Sequence, residues 1–256
     1  MFHLDKPIDK KEYDCLNRTE FSKQLARAIF EYTRTDNFTI SLCGKWGSGK
    51  TSILNMVIEE IDAISKNNME DEKPIIIRFD PWNYSDCSQL ISQFFAVMQS
   101  KFKTEKGNKA LEEIGEVLAD YSRLLDYAAQ FLSEIEPYLG PSKIFIKWLG
   151  KHMKERAKTN RDIQAVKQKI ISKLKKQKQK IIVVIDDIDR LNNSQIRAIF
   201  QLVNSLAGFP NMIYLLAFDR RLLYVLCRKS RSVMVKNIWK RLFRCLLIYR
   251  KRIKHL

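Results

Sequence analysis

The chain has 256 residues, and its hydrophobic content of 45% is enough for one α/β domain with appendages. Its five cysteines lie far apart without a C-x-x-C pair, which argues against a disulfide framework or a thiolate zinc site and favours a reducing cytosol. The formal net charge is +17, and we find neither a signal-peptide pattern nor an uncharged apolar run of about 18 residues, so we expect a soluble chain.

The positive charge is concentrated near the carboxyl end. From Arg220 onward the chain carries 13 Lys or Arg and no acid, whereas the first 219 residues carry 33 bases against 29 acids. Basic surfaces of this kind bind nucleic acid or anionic membranes. If such a partner binds this chain, we expect the basic tail, residues 221–256, to contact it.

The amino-terminal part predicts an extended lead-in over residues 1–17 followed by a helix. Apolar residues recur at helical spacing through Thr19–Tyr32, and Thr19 is the expected N-cap. The next motif, Gly44–Thr51, reads G-x-x-x-x-G-K-T, the pattern of a phosphate-binding loop. In many ATPases with such a loop the segment before its strand borders the base, so Arg18 and Phe21 are candidates for a nucleotide pocket. Packing of this helix against the sheet is the alternative.

The Gly44–Thr51 stretch reads G-x-x-x-x-G-K-T, the pattern of a phosphate-binding loop. An apolar, β-branched run, Phe38–Cys43, precedes it and a helical pattern, Ser52–Asp62, follows it, as a strand–loop–helix unit requires. An ordinary glycine-rich turn is the alternative, which this context disfavours. We expect Lys50 to reach the β- and γ-phosphates and the Thr51 hydroxyl to ligate Mg²⁺.

Nine consecutive residues are the predicted nucleotide-binding set, because backbone N–H groups, the lysine and the hydroxyls of such a loop surround the phosphates. They are Gly44, Lys45, Trp46, Gly47, Ser48, Gly49, Lys50, Thr51 and Ser52.

The run Ile75–Phe79 is bounded by prolines and predicts a buried parallel strand. Asp80, Trp82 and Asn83 follow it, and residues beyond the carboxyl end of a parallel strand can reach a ligand. For Asp80, capping of the next helix is an equal alternative.

Residues 88–180 predict a helical insert without strands. Helical periods cover Ser88–Phe102, Ala110–Leu139 and a third, interrupted element towards Lys180. Between Lys147 and Lys180 there are 13 Lys or Arg against two acids, which indicates a solvated face, with nucleic-acid contact as the alternative. A narrow apolar stripe marks the third element: Ile163, Val166, Ile170 and Leu174.

The second strong motif is a run of five aliphatic residues that ends in Asp186 and Asp187. A buried strand of this kind presents carboxylates at its tip. We predict that Asp186 serves Mg²⁺ and that Asp187 orients or deprotonates the attacking water, which makes Asp187 and Lys50 the candidate catalytic residues.

The remaining pattern completes a parallel α/β sheet. Asn192–Leu206 predicts an amphipathic helix, and Asn211–Asp219 predicts a buried strand with a carboxylate at its tip. Four strands separated by helices imply right-handed parallel connections. The Ile75–Phe79 strand, placed between the phosphate loop and the acidic strand, is interpreted as the inserted strand, and the absence of Asn-Lys-x-Asp favours ATP over GTP.

These residues resemble the KAP family of P-loop NTPases. The resemblance covers about residues 5 to 221. It implies an additional-strand (ASCE-like) parallel sheet with a helical insert between the Walker A and Walker B motifs, and Mg²⁺-dependent ATP hydrolysis as a conformational switch. Family members often act at the cytoplasmic membrane face, and some bacterial members act in phage exclusion. The segments that carry it are Arg18–Phe21, Ile40–Ser52, Phe79–Trp82, Val184–Arg190 and Leu216–Asp219.

Two features depart from the family. Many members carry membrane-spanning helices in the insert, whereas residues 88–180 are too charged to span a bilayer. The tail lacks acids and is interpreted either as a basic amphipathic helix or as an out-of-frame ending. The helix would place four residues on one face: Ile238, Leu242, Cys245 and Tyr249.

Four segments are predicted: residues 1–87 with Walker A, 88–180 as the insert, 181–220 with Walker B, and 221–256 as the tail. The favoured function is ATP hydrolysis, and the alternative is a nucleotide-responsive binding module that acts through its insert or tail. The expected partners are ATP and a protein, with self-association, nucleic acid and an anionic membrane as alternatives. We expect a cytoplasmic location, with attachment to the inner face of the membrane as the alternative.

Overall fold

The computed structural model divides the chain into two compact units. One contains Met1–Ser85 and Gln177–Leu256, and the other contains Asp86–Lys176. The four segments predicted from the sequence stay a prediction. The residues whose structure is described are 6–32, 38–66, 72–84, 90–105, 108–133, 161–206, 209–219, 221 and 245–248.

A five-stranded parallel sheet forms the centre of the first unit, with the strand order β2-β3-β4-β1-β5. Its strands are β1 (Phe38–Cys43), β2 (Ile75–Phe79), β3 (Ile181–Ile185), β4 (Met212–Phe218) and β5 (Cys245–Ile248). β4 lies between β1 and β3 and pairs with both in parallel. This order confirms the additional-strand arrangement of a P-loop fold.

The inserted strand is β4, and the interpretation of Ile75–Phe79 as that strand is wrong. β2 pairs with β3 on the side away from β4, so within the described chain it forms one edge of the sheet. Its burial alternates accordingly, because Ile75, Ile77 and Phe79 are buried whereas Arg78 is exposed. β3 and β4, which have neighbours on both sides, are buried along their whole length.

The described helices follow the predicted order, with bounds that differ by a few residues. α2 extends the predicted phosphate-loop helix at both ends, and α6 matches the prediction to within one residue at each end. The helices are α1 (Thr19–Phe30), α2 (Lys50–Ser65), α3 (Leu90–Thr104), α4 (Lys109–Ser133), α5 (residues 161–176) and α6 (Asn193–Ser205).

Helices cover both faces of the sheet. α1 and α2 form one core with strand residues such as Ile40, Val184 and Leu215. On the opposite face, the ring of Phe200 in α6 meets that of Phe218 in β4 edge-on, with a centroid separation of 5.7 Å. This packing fixes the carboxyl ends of β1, β3 and β4, from which the candidate site is built.

Asp14 caps helix α1, whereas Thr19 was the predicted cap. The Asp14 carboxylate accepts hydrogen bonds from the backbone N–H of Arg18 at 2.6 Å and from both the N–H and the hydroxyl of Thr19 at 2.7 Å. Burial raises the pKa of Asp14, but the hydrogen bonds from Thr19, Leu16 and Arg18 outweigh it and lower that pKa overall. The prediction was wrong because an upstream acid occupies the cap from outside the local pattern.

The lead-in is held against α2 and is not simply extended. It contains a 3₁₀ turn at Lys11–Tyr13. The backbone N–H of Ile8 donates to Ser52 Oγ at 3.2 Å, and the amide of Asn55 donates to the Ile8 carbonyl at 2.9 Å. The hydroxyl of Ser52, one of the predicted nucleotide-binding residues, thus contacts the lead-in.

The second unit is helical in its described part, as predicted. α3 and α4 pack together, and the rings of Phe95 and Tyr121 meet edge-on at 5.6 Å. Of the predicted stripe on α5, Ile170 and Leu174 are fully buried. Among the described residues, no helix has the length and apolar character needed to cross a bilayer.

The tail contributes a strand where a helix was one prediction. Cys245–Ile248 pairs in parallel with Ile40–Cys43 of β1 and forms the sheet edge opposite β2. The amphipathic-helix interpretation is therefore wrong for Cys245. Ile238, Leu242 and Tyr249 lie outside the described residues.

Candidate nucleotide site

The phosphate loop lies between β1 and α2, as the motif predicts. The N–H of Gly44 donates to the carbonyl of Phe218 at 3.3 Å, which ties the start of the loop to the tip of β4. Gly47 and Gly49 have φ angles of 71° and 78°, a left-handed conformation that glycine adopts without a Cβ clash. α2 begins at Lys50, so its positive end faces the loop. The geometry is that of an anion cradle.

Arg18 supports this loop from the side of helix α1. The residue is 4% exposed, and its Nη1 donates to the carbonyl of Ser48. A Cβ built on Gly49 would lie 2.2 Å from the same nitrogen. Phe21, the other candidate from this segment, packs instead against the core under α1 and α2. Arg18 is thus part of the loop's framework, and its capped helix fixes its position.

The two left-handed glycines differ in what surrounds them, and this yields a prediction. A Cβ on Gly47 would meet nothing within 4 Å, whereas one on Gly49 would collide with Arg18. We expect Gly47→Ala to cost about 1–2 kcal/mol of unfolding free energy from backbone strain alone. Gly49→Ala should cost about 2–5 kcal/mol, because overpacking adds to the same strain. Urea unfolding of the nucleotide-free variants measures both; equal costs would contradict the role given to Arg18.

Lys50 is paired with an acid that the sequence interpretation did not single out. Its Nζ lies 3.0 Å from Asp189 Oδ2, and the two side chains are 10% and 9% exposed. The same ammonium lies 3.4 Å from the carbonyl of Gly44 and 3.5 Å from that of Lys45. This contact joins the phosphate loop to the tip of β3 across 139 residues of chain.

Asp186 and Asp187 follow β3 directly, as predicted, but their environments differ. Asp186 is 7% exposed, and its Oδ1 accepts the N–H of Asp187 at 2.8 Å. Asp187 has a φ of 54° and pairs through Oδ1 with Nε of Arg190 at 3.1 Å. Burial and the negative charge of Asp186 raise the pKa of Asp187, while Arg190 opposes the shift.

Two further acids lie at the same edge of the sheet. Desolvation and the charge of Asp186 raise the pKa of Asp80, which follows β2. Asp219 follows β4 and forms an ion pair with Arg221, with Nη2 and Oδ2 2.7 Å apart. The hydrogen bond from Arg221 is the main reason that the pKa of Asp219 is lowered, and the charge of Lys50 adds to it. The carboxyl ends of three neighbouring strands thus surround the loop with acids.

An aromatic and cationic stack lies beside these acids. The guanidinium of Arg190 lies over the ring of Trp46 at 5.1 Å and over that of Trp82 at 4.9 Å. Trp46 belongs to the phosphate loop and Trp82 to the 3₁₀ turn Pro81–Asn83 after β2. Both tryptophans are largely exposed. The stack therefore brings together residues from the loop and from the tips of β2 and β3.

The other predicted loop residues lie where the motif places them. Thr51 is in the first turn of α2. Ser48 is packed inside the loop, since a Cβ on Gly44 would lie 2.3 Å from its Oγ. Lys45 contributes its carbonyl to the environment of Lys50. The structure brings Lys50 together with the β3 tip, whereas the roles of these residues towards a nucleotide stay predictions.

The sequence interpretation missed Asp189 and Arg190 as site residues. Both residues belong to the Asp-Asp-Ile-Asp-Arg motif, which the sequence shows. The directions of their side chains could not be predicted, because they depend on the 3₁₀ turn Ile188–Arg190 and on the left-handed backbone of Asp187. The signal that could have identified them is their position: a third acid and a base follow closely after the two acids that end the strand.

The donor set fits Mg²⁺ as the phosphate loop predicts. Mg²⁺ on a nucleotide takes one or two protein oxygens and completes its shell with phosphate and water. The Thr51 hydroxyl and the buried Asp186 carboxylate supply oxygens of this kind. Among the described residues, no group of three or more His, Cys, Asp or Glu side chains could hold a metal ion by itself. Thr51 and Asp186 are the residues that would fit Mg²⁺ bound to a nucleotide.

One curated protein is similar to this chain in sequence. The chain is 26% identical over 236 residues to the phage T7 exclusion protein of Escherichia coli K12. That alignment covers 86% of this chain but only 31% of the relative, so the chain spans about a third of the relative's length.

Two solved structures match the chain at low similarity. The Aeropyrum pernix ORC2 protein, solved as ADPNP–ADP complexes, has a TM-score of 0.46 and 11% identity, covering 91% of this chain and 47% of that one. The Aeropyrum pernix ORC1 protein, solved in complex with DNA, has a TM-score of 0.45 and 12% identity, covering 96% of this chain and 47% of that one.

The sequence model of the KAP family P-loop domain matches residues 18–239. The match begins at Arg18, includes the phosphate loop and the acids that follow β2, β3 and β4, and extends into the tail beyond the predicted limit near residue 221. The interpretation of the tail as an out-of-frame ending stays a prediction. The chain belongs to the KAP family of P-loop domains.

Proposed function

We propose that this domain binds ATP with Mg²⁺ and hydrolyses it, and that the hydrolysis acts as a conformational switch. The observation that carries the proposal is the contact of Lys50 with Asp189, because it brings the phosphate loop and the acidic tip of β3 into one site. Phosphoryl transfer needs these two parts together: donors for the phosphates, and oxygens for the metal and the attacking water.

Each residue has a distinct role in this proposal. The loop N–H groups and Lys50 bind and neutralise the phosphates, at the positive end of α2. Thr51 and Asp186 hold Mg²⁺, which when bound screens charge on the phosphate oxygens. Asp187 orients the water and accepts its proton. Its raised pKa suits this task, because a carboxylate with a higher pKa is a stronger base.

Calorimetric titration tests whether the site prefers ATP to GTP. We expect ATP to bind in the micromolar range in the presence of Mg²⁺, and GTP at least about tenfold more weakly, because the chain lacks the Asn-Lys-x-Asp guanine motif. Removal of Mg²⁺ with EDTA should weaken ATP binding. Equal affinities for ATP and GTP would contradict the preference for ATP but would still agree with phosphate binding at this loop.

We place the switch in bacterial defence, supported by the similarity to a phage exclusion protein of Escherichia coli. Binding of nucleic acid, of an anionic membrane or of a second copy through the tail stays a prediction, since most of residues 221–256 lie outside the described structure. The cytoplasmic location, with attachment to the inner face of the membrane as the alternative, also stays a prediction.

A further inference from the structure

We propose that Arg190 is the positioning residue for Asp187, held in place by a stack between Trp46 and Trp82. This inference rests on the proposed hydrolysis and adds to it the device that orients the candidate base. Trp46 belongs to the phosphate loop, so the stack also links that loop to the acid.

Arg190 holds Asp187 through both backbone and side chain. Within the turn, the N–H of Arg190 donates to the Asp187 carbonyl at 3.1 Å, and the side chains form an ion pair with Nε and Oδ1 at the same distance. Asp187 needs such support, since its φ of 54° is a left-handed conformation that costs a residue with a Cβ about 1–2 kcal/mol. A carboxylate without this anchor would lose its fixed direction towards the site.

Two aromatic rings contact the guanidinium. Its central carbon lies 5.1 Å from the Trp46 centroid and 4.9 Å from that of Trp82. A planar guanidinium can lie over aromatic rings while its nitrogens pair with a carboxylate, and the compact ammonium of lysine does not reproduce this combination. The two ring contacts and the ion pair with Asp187 together limit the positions that the guanidinium can take.

The turn that carries Trp82 is anchored independently of the loop. The side chain of Gln195 donates to the carbonyl of Tyr84 at 3.2 Å, and the ring of Tyr84 stacks on Phe79 at 5.5 Å. Gln195 also exchanges hydrogen bonds of 3.0 Å with Asn192 in a capping box at the start of α6. One side of the stack is thus rigid, and the other side belongs to the nucleotide-binding loop.

The test compares steady-state ATP hydrolysis by the full chain and four variants. Arg190→Lys keeps the charge but removes the planar guanidinium and the Nε that pairs with Asp187. Trp82→Leu removes one of the two rings over the guanidinium, whereas Trp82→Phe keeps an aromatic face. We expect kcat to fall about 10- to 100-fold for the first two, with KM changed less than about twofold, because a displaced catalytic group costs rate rather than affinity. Trp82→Phe should recover most of the loss.

The matched control is Arg123→Lys. Arg123 pairs with Asp120 at 3.3 Å at the same i,i+3 spacing, in the helical unit. We expect Arg123→Lys to leave kcat and KM unchanged. This control distinguishes the specific role of Arg190 from the general effect of losing an Arg–Asp pair.

A spectroscopic measurement tests the stack without turnover. Trp148 and Trp239, which lie outside the described residues, are replaced by phenylalanine so that only Trp46 and Trp82 emit. Acrylamide should quench this protein more strongly after Arg190→Lys, because the guanidinium no longer covers the rings. Unchanged quenching would overturn the stack.

The outcomes separate the two proposals. Turnover that is unaffected or raised in Arg190→Lys and Trp82→Leu would overturn the positioning role and leave ATP hydrolysis standing. Absence of turnover in the wild type would overturn the proposed function, and the role of Arg190 with it. A fall in kcat at constant KM, rescued by Trp82→Phe, supports the proposal.

Discussion

Asp187→Asn is expected to reduce ATP turnover by about 10²- to 10⁴-fold, the range for loss of a positioned general base. The amide is close in shape to the carboxylate but accepts no proton from water. Asp187 is more exposed than its neighbour Asp186, and it forms an ion pair with Arg190. Phosphate release under saturating Mg²⁺–ATP measures the fall.

Asp186→Asn provides the comparison, since its carboxylate is assigned to Mg²⁺. We expect it to weaken binding of Mg²⁺–ATP, whereas Asp187→Asn should leave the affinity within about threefold of wild type. Calorimetric titration of both variants distinguishes the roles. An equal loss of binding in the two variants would refute the division of labour between neighbouring acids.

Asp189→Asn is expected to destabilise the nucleotide-free protein by about 3–5 kcal/mol, as found when one partner of a buried ion pair is removed. The ammonium of Lys50 would lose the carboxylate paired with it and would contact uncharged oxygens, that of the new amide and the carbonyls of Gly44 and Lys45 at 3.4 and 3.5 Å. Urea unfolding without nucleotide measures the loss. Saturating ATP should reduce the difference in unfolding free energy between the variant and the wild type, because its phosphates supply the missing negative charge.

An exposed ion pair serves as the control for that result. Lys101 and Glu105 are 2.7 Å apart, but their side chains are 39% and 31% exposed. Glu105→Gln should therefore change the unfolding free energy by no more than about 0.5 kcal/mol. If Asp189→Asn is as mild as this control, the buried pair with Lys50 does not stabilise the free protein.

Most of the strands could be predicted because strands buried on both faces have continuous aliphatic sequences. β1 and β3 match the predicted runs, and β4 is shorter than its run by one residue at each end. The place of the Ile75–Phe79 strand in the sheet could not be predicted from its sequence. Its apolar run resembles that of a central strand, and only its pairing with β3 places it at the edge.

The tail strand was missed for a related reason. Cys245–Ile248 is a four-residue strand in a strongly basic segment, and its apolar residues also fit a helical period. Its strand conformation depends on parallel pairing with β1, which lies about 200 residues earlier in the chain. Such tertiary pairing leaves little trace in a short segment.

The candidate site was predictable in its residues but not in its contacts. The glycines, Lys50 and the paired acids follow from local patterns with a known chemistry. The pairing of Lys50 with Asp189 depends on the strand order and on the turn after Asp187, and both arise from long-range packing. The same holds for Arg18, whose contact with the carbonyl of Ser48 crosses from the first helix to the loop.

The most direct test of the central claim is steady-state phosphate release from Mg²⁺–ATP by the wild-type chain and by Lys50→Ala. Lys50 is the residue in which the loop and the acidic tip of β3 meet. The proposed function predicts measurable release by the wild type and a loss of at least about 10²-fold in Lys50→Ala, since the lysine stabilises charge on the phosphates. ATP binding at micromolar affinity, with release no faster than in Lys50→Ala, would contradict hydrolysis and favour a binding module.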